Sequence, residues 1–266
     1  MKLKEIIKEF ESIAPLSLQE DWDNSGFQLK LKNDNDEISR VLICLEITSE
    51  TVKEAIDNKV ELIITHHPLF FYALKEISLD TYLGSFVKDL ISNNISVYSS
   101  HTSFDICDGG NNDYFGKLLG VTNINKIPTD TENISRYGDL DKEYSLSEFV
   151  SLLENTFNIS KEYFNYAGPK SLNIKRIAWV TGAGDDYIIN AKDVDSDLFI
   201  TGDLSYHKAR DAKELNMPTI AIGHFASEFI FSKNVKELLN KIGDKVDLIE
   251  SKIDINPYES LKWRKN

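Results

Sequence analysis

The sequence predicts an α/β fold of two lobes, with mainly parallel sheets flanked by helices. Two observations favour it. Apolar runs of strand length alternate with segments whose apolar residues recur at helical spacing, and this alternation occurs twice along the chain. The chain has 266 residues, 41% of them hydrophobic, which is enough for one large domain or two modest ones. We expect a discontinuous first lobe of residues 1–126 and 222–266, and a second lobe of residues 127–221.

The first lobe opens with an amphipathic helix. Its apolar residues lie three and four positions apart, at Leu3, Ile6, Ile7 and Phe10. The predicted strands that follow are residues 40–48, 61–65 and 95–99, and the predicted helices are residues 50–58, 83–91 and 112–119. Strands that are separated by helices pair in parallel through right-handed crossovers.

The same alternation returns late in the chain. The predicted strands are residues 176–181, 197–200 and 219–222, and the predicted helices are residues 187–194, 206–216 and 226–239. Between the two series, residues 129–175 are polar and rich in tyrosine, with one clear helix at residues 147–157. Ser145 is placed to cap that helix.

Composition and charge exclude several classes of protein. The 30 basic and 43 acidic side chains give a net charge of −13, which disfavours a nucleic-acid binder. Two cysteines do not make a disulfide framework, so we expect a reducing compartment. The N-terminus lacks the apolar core of a signal peptide, and no run of about 18 apolar residues indicates a membrane span. We therefore expect a cytoplasmic protein without membrane contact.

The histidines share one kind of position. Each of the five follows a predicted apolar strand or lies in the opening turn of the next helix: His66, His67, His101, His207 and His224. Ligands of open parallel sheets bind beyond the carboxyl ends of the strands. A single histidine is usually structural or solvated, but the shared placement of all five predicts a functional site.

Two adjacent histidines end the second strand. His66 and His67 are followed by Pro68, which stops regular structure, so the two rings can diverge toward neighbouring points. This arrangement suits two metal ions with one imidazole each. The alternative is a turn that carries two half-exposed histidines.

Carboxylates accompany two of the other histidines. Asp105 follows His101 and is a hard oxygen ligand, although it could also be an ordinary loop carboxylate. His224 and Glu228 lie four residues apart at the start of a helix, where they share one face. They could bind a metal together or form a surface pair worth only tenths of a kcal/mol.

Three further segments are less informative. Asp203 could cap the helix in which His207 lies, and His207 is either near the site or simply solvated. Residues 182–184 (GAG) resemble a phosphate-binding turn, but two aspartates follow, so a plain tight turn is the alternative. Residues 22–26 (WDNSG) show no metal-ligand logic, and a loop with Asx turns is the default.

Together these residues predict a dinuclear site of three imidazoles and two carboxylates. Mixed nitrogen and oxygen ligation suits Zn, Fe, Mn or Co and does not select among them. Glu228 or Asp105 would bridge the two ions. Two-metal sites lower the pKa of a bound water and hold the attacking and leaving oxygens, which indicates hydrolysis.

The motifs, taken in order, resemble those of the Nif-three-like dinuclear-metal proteins, often labelled GTP cyclohydrolase 1 type 2 homologues. The segments that carry the resemblance are ITHHP (64–68), SSHTSFD (99–105), GGNND (109–113), TGDLSYH (201–207) and GHFASE (223–228). Residues 22–26 are similar to the family's WDN-x-G signature. The resemblance covers nearly the whole chain.

The resemblance implies a short-form, two-lobed protein that assembles as a toroidal homohexamer, with two divalent metal ions per subunit in the cleft between the lobes. The ligands carried over by the motifs are His66, His67, Asp105, His224 and Glu228. His101 and His207 would line the site and transfer protons. Glu46 and the Ser103-Phe104 pair depart from the family pattern, and we expect neither to touch a ligand.

The function expected from this resemblance is metal-dependent hydrolysis of a nucleotide-like substrate. Its most concrete form is opening of the GTP ring at the purine C8, with His101 or His207 moving protons. The alternative is a non-catalytic, metal-binding hexamer that serves as a scaffold or regulatory partner. A shared fold and metal site do not fix the substrate.

Overall fold

The computed structural model describes residues 1–258, and the chain divides into two compact units. The first unit contains Met1–Gly110 and Phe231–Ile255, and the second contains residues 111–230 and 256–258. Each unit has one β-sheet with helices packed on it, which confirms the α/β class. The lobe bounds at residues 126 and 222 stay a prediction.

The first unit is built on a five-stranded sheet in the order β1-β4-β3-β2-β11. Its helices are α1 (Leu3–Glu11), α2 (Ser49–Asp57), α3 (Tyr82–Ser92), α4 (Thr102–Ile106) and α10 (Phe231–Leu238). Its strands are β1 (Gly26–Leu29), β2 (Arg40–Cys44), β3 (Leu62–Thr65), β4 (Ser96–Ser99) and β11 (Asp247–Glu250). Strands β4, β3, β2 and β11 are parallel, and β1 adds to the edge antiparallel to β4.

The second unit has a six-stranded sheet in the order β5-β6-β8-β9-β10-β7. Its strands are β5 (Thr122–Lys126), β6 (Arg136–Ser145), β7 (Asn165–Ala167), β8 (Asn173–Val180), β9 (Leu198–Thr201) and β10 (Thr219–Ala221). Its helices are α5 (Asn111–Leu118), α6 (Leu146–Phe157), α7 (Ile188–Asp193), α8 (Tyr206–Glu214) and α9 (His224–Glu228). Only β8, β9 and β10 pair in parallel within this sheet, because β5, β6 and β7 are joined antiparallel.

Alternating side chains give the sheet of the second unit a core on each face. Ile177 and Trp179 of β8 pack into one cluster with α5 and α6. Ala178 and Val180, which point the other way, pack into a second cluster with α7 and α8. A strand that is buried on both faces reads as a continuous apolar run, which is why β8 was visible in the sequence.

The predicted helix at residues 226–239 is wrong as a single element. The structure has two helices, α9 and α10, separated at Phe229 and Ile230. They serve different cores, since Ile230 belongs to a core cluster of the second unit and Phe231 packs on Phe104 in the first. The short helix α9 is thereby independent of α10, and it carries His224 and Glu228.

Across residues 1–258, no helix combines the length and the apolar character that crossing a bilayer requires.

The N-terminus of α6 provides a test of the sequence-predicted cap. The side chain of Ser145 accepts a hydrogen bond from the backbone N–H of Glu148, and Glu148 Oε2 accepts one from the Ser145 N–H at 2.8 Å. We expect Ser145→Ala to lower the free energy of unfolding by about 1 kcal/mol, measured by urea denaturation. Ser151→Ala, an exposed change within the same helix, should not lower it, and equal losses would contradict the capping role.

Candidate metal centre

The register of two parallel strands brings the histidines of the first unit together. Thr65 of β3 lies opposite Ser99 of β4, and their hydroxyl oxygens are 2.6 Å apart. The residues after each strand therefore emerge at the same edge of the sheet. His66 and His67 follow β3 directly, and His101 follows β4 after one intervening residue.

Three imidazoles form a cluster at this edge. One ring nitrogen from each of His66, His67 and His101 lies within 4.8 Å of the others. The ring centroids are 5.2 Å apart for His66 with His67, 5.2 Å for His66 with His101, and 5.8 Å for His67 with His101. This spacing allows the three nitrogens to face shared cations.

His66 is held in one tautomer by the backbone. The ring is fully buried, and its Nδ1 lies 3.0 Å from the carbonyl oxygen of Ser100. A carbonyl can only accept, so Nδ1 carries the proton and the lone pair lies on Nε2. Nε2 lies 3.6 Å from Oδ2 of the buried Asp105, in helix α4. His66 and Asp105 can therefore offer a nitrogen and an oxygen to one cation.

His101 is held by a carboxylate from the loop before β1. Its Nδ1 lies 2.9 Å from Asp23 Oδ1, while Asp23 Oδ2 accepts hydrogen bonds from Thr102 N and Oγ1 at 3.1 and 2.6 Å. Burial raises the pKa of Asp23, but the hydrogen bonds from His101 and Thr102 outweigh it and hold that pKa below its ordinary value. Asp23 is therefore ionised and fixes the orientation of the His101 ring.

The expectation that Glu46 touches no ligand is wrong. Its Oε2 lies 3.6 Å from Nδ1 of His67. Glu46 follows β2, the strand that pairs with β3, so its side chain emerges beside the residues after β3. Ser103 and Phe104 are both buried; Ser103 bonds Ser100 through its hydroxyl, and Phe104 packs on aromatic rings.

In the second unit, a second group of candidate ligands consists of His224 and Glu228. Turns that contain glycine, after the parallel strands β8 and β9, support this group. The carbonyl of Gly182 accepts hydrogen bonds from the N–H groups of Gly202 and Asp203 at 2.9 and 3.0 Å. The N–H of Gly182 donates to Ser227 Oγ, and that of Gly184 to Thr201 Oγ1. Because these donors are already used within the protein, the structure supports the tight-turn interpretation of residues 182–184.

His224 lies between two carboxylates. It is the first residue of α9, and its Nε2 is 3.0 Å from Oε2 of the buried Glu228, one turn later. Its Nδ1 is 2.6 Å from Asp203 Oδ2. Burial lowers the pKa of His224, but the two carboxylates outweigh it and raise that pKa to about 11. The ring is therefore an imidazolium that pairs with Asp203 through Nδ1 and with Glu228 through Nε2.

Gly182 leaves the room that Glu228 needs. Its φ of +68° lies in the left-handed region, and a Cβ at this position would collide with the Glu228 carboxylate. The glycine thus serves both the turn and the placement of the acidic side chain.

Two predicted residues have other surroundings. His207 is exposed in the first turn of α8, with its ring centroid 5.4 Å from that of Tyr206, and it belongs to no group of ligand atoms found in residues 1–258. Asp203 does not cap α8, because Ser205 occupies the capping position and the Asp203 carboxylate bonds His224 instead.

The donor set fits divalent metal ions. His66, His101 and His224 each direct Nδ1 to an oxygen of the protein, and carboxylates lie beside the Nε2 atoms of His66 and His224. Metal-bound histidines have this same outer hydrogen bond, which fixes the tautomer and orients the ring. Mixed nitrogen and oxygen donors suit Zn, Fe, Mn and Co.

Sequence reasoning missed both supporting aspartates. Asp23 precedes His101 by 78 residues and Asp203 precedes His224 by 21, so no local spacing connects either pair. The available signals were the segments WDNSG and TGDLSYH, which suggest a turn and a helix cap rather than partners for histidines.

Comparison with known proteins gives consistent matches along the whole chain. A family model described as Duf34/NIF3 (NGG1p interacting factor 3) matches residues 1–257. A Clostridium perfringens protein named GTP cyclohydrolase 1 type 2 homolog is 38% identical over 266 residues, covering 98% of this chain and 100% of the relative. A Helicobacter pylori J99 protein named GTP cyclohydrolase 1 type 2 is 37% identical over 240 residues, covering 90% and 91%. The crystal structure of a Bacillus cereus protein related to NIF3 shares the fold, with a TM-score of 0.89, 22% identity and coverage of 98% and 99%.

Adding a methyl group at Gly182 should weaken metal binding. In Gly182→Ala the Cβ displaces the Glu228 carboxylate, so we expect the zinc affinity to fall roughly tenfold or more, measured by competition with a chromophoric chelator. Gly120→Ala is the matched control, because Gly120 has a similar φ of +73° with nothing within 4 Å of its Cβ. If both variants bind zinc as the wild type does, Gly182 has no part in placing Glu228.

Removing the charge from Asp203 should also weaken metal binding. Asp203→Asn weakens the hydrogen bond that orients His224, and we expect a 10- to 100-fold lower zinc affinity by the same titration. Asp186→Asn changes an exposed aspartate that pairs with Lys208, and it should leave the affinity unchanged. An unaltered affinity in Asp203→Asn would show that His224 does not need this partner.

Proposed function

Because the chain belongs to the Duf34/NIF3 family, we propose that it is a dinuclear metal-dependent hydrolase acting on a nucleotide-like substrate. The observation that carries the proposal is the common orientation of His66 and His224, each with Nδ1 bonded to a protein oxygen and Nε2 beside a buried carboxylate. Metal-bound histidines have this same hydrogen bond at the outer nitrogen.

The proposed ligands are those that the motifs predict: His66, His67, Asp105, His224 and Glu228. We propose that the two ligand groups serve one dinuclear centre, with Glu228 or Asp105 bridging the ions. The position of both buried carboxylates supports this, because each lies beside an imidazole Nε2: Asp105 at 3.6 Å from His66 and Glu228 at 3.0 Å from His224. His101, whose ring nitrogen lies within 4.8 Å of those of His66 and His67, is not among these ligands and keeps the proton-transfer role.

The names of relatives favour a guanine nucleotide as substrate. Proteins named GTP cyclohydrolase 1 type 2, or homologues of it, match this chain over nine-tenths of its length or more. In the reaction proposed, water adds to C8 of the purine and the bond between C8 and N9 breaks. C8 then remains as a formyl group on N7, and the two protons of the water end on N7 and N9, one on each.

The residues of the chain have distinct tasks in this proposal. Bound divalent ions would supply Lewis acidity and lower the pKa of water. His101, oriented by Asp23, would deliver the proton that N9 requires. His207 is the second predicted proton carrier, and its exposed position makes it suited to exchange protons with solvent. A homohexameric assembly and a cytoplasmic location stay predictions.

The decisive experiment combines metal analysis with turnover. The purified protein, loaded with Zn, Mn or Fe, is expected to convert GTP to the formylated ring-opened product and to stop when a chelator is added. Glu228→Gln should lose activity and bind less metal, because it removes a buried anionic ligand while keeping its shape. Glu214→Gln changes an exposed residue at the end of α8 and is the matched control.

Metal stoichiometry separates one shared centre from two independent ones. If Glu228 bridges two ions, Glu228→Gln should weaken both, whereas independent sites would leave one ion at full occupancy. Unchanged GTP after long incubation of the loaded protein would overturn the substrate. Altered metal content in Glu228→Gln, with no activity in any variant, would favour the non-catalytic scaffold.

A further inference from the structure

Two aromatic rings lie beside the histidine cluster of His66, His67 and His101. One belongs to Trp22 of the WDNSG segment, and the other belongs to Phe71. The rings of Trp22 and Phe71 lie 5.8 Å apart, and their centroids lie 5.8 and 6.1 Å from that of His101. We propose that Trp22 and Phe71, called here the aromatic wall, bind the planar heterocyclic ring of the substrate by stacking. This inference rests on the proposed function and deepens it.

The aromatic wall is held rigidly from the Trp22 side. The next residue, Asp23, is buried and takes hydrogen bonds from His101, Thr102 and Ser25. These bonds fix the backbone beside the indole. The backbone next to Trp22 is therefore held by the same carboxylate that orients His101, and the two ring centroids lie 5.8 Å apart.

Hydrogen bonds also tie the Phe71 side to the same loop. Asn24 Nδ2 donates to the carbonyl of Phe70 at 2.6 Å, and the Phe70 N–H donates to Gln28 Oε1 at 3.1 Å. Gln28 in turn donates to the Asn24 carbonyl at 2.6 Å. The two ring-bearing segments thus form one frame, although 49 positions separate Trp22 from Phe71.

The wall is anchored but largely uncovered within the chain. Trp22 is 58% exposed and Phe71 is 42% exposed. An exposed indole that is fixed in place stacks on a planar ring at low entropic cost, because little side-chain freedom remains to be lost. By contrast, Trp179, which serves only the core, is fully buried.

The position of the wall indicates a small ring as its occupant. Both aromatic rings contact His101, so a heterocycle that stacks on them lies beside the imidazole nitrogens. The proposed reaction needs a purine carbon at that place. Stacking does not depend on phosphate groups, so a nucleoside should bind here without them.

The test uses guanosine as the probe with the full-length, zinc-loaded protein. Guanosine should bind in calorimetric titration and quench the tryptophan fluorescence. Trp22→Leu should weaken guanosine binding roughly tenfold or more, and Trp22→Phe should retain most of the affinity while losing the quench. Tyr82→Leu, which changes an aromatic residue that is 79% exposed outside the wall, should behave as the wild type. Zinc content should be the same in all four proteins.

Three results would overturn the stacking site: no guanosine binding by the wild type, equal affinity in Trp22→Leu, or a smaller oligomer in Trp22→Leu by sedimentation. The last would identify the wall as a contact between copies of the chain.

The result of the guanosine-binding test is independent of turnover. Guanosine binding that needs Trp22 without GTP hydrolysis would remove the proposed activity and leave the site standing. GTP hydrolysis by a protein whose guanosine affinity is the same in Trp22→Leu would support the proposed activity and remove the stacking site.

Discussion

The hydrogen bond at Nδ1 is the interaction on which the candidate centre depends. A neutral imidazole has one donor and one acceptor nitrogen, and either nitrogen can take either role. An oxygen lies at Nδ1 of His66, His101 and His224, a backbone carbonyl in the first case and a carboxylate in the other two. In a neutral ring whose Nδ1 donates, Nε2 has the lone pair, whereas the protonated His224 also pairs its Nε2 with Glu228. In either state the ring cannot turn without breaking the bond at Nδ1. The candidate ligand nitrogens are thereby oriented by the folded chain itself.

That orientation works only because the backbone puts the rings in place first. In the first unit, the register between β3 and β4 aligns the residues that follow Thr65 and Ser99. In the second unit, the Gly182 carbonyl accepts hydrogen bonds from the N–H groups of Gly202 and Asp203. These bonds place the Asp203 carboxylate against His224. Main-chain hydrogen bonds of the sheets and turns thus set the positions, and side-chain hydrogen bonds set the directions.

The sequence was informative where the physics is local. Strands buried on both faces read as apolar runs, so β3, β4 and β8 were predicted, and with them the strand-end positions of the histidines. The sequence does not predict the antiparallel strands, because β6 (RYGDLDKEYS) is charged at half its positions and is held in the sheet by pairing with β8. Asp23 was missed for a related reason: its role depends on contact with His101, and that contact exists only after the first unit has folded.

The buried Glu228 carboxylate depends on the protonation of His224. Glu228 is 3% exposed, and a buried carboxylate with no positive partner would cost several kcal/mol. The imidazolium of His224, with its pKa raised to about 11, supplies that partner. A divalent ion held by His224 and Glu228 would have to displace the Nε2 proton, because a metal ligand must be deprotonated. The hydrogen bond between Nδ1 and Asp203 would keep the ring in the same orientation in either case.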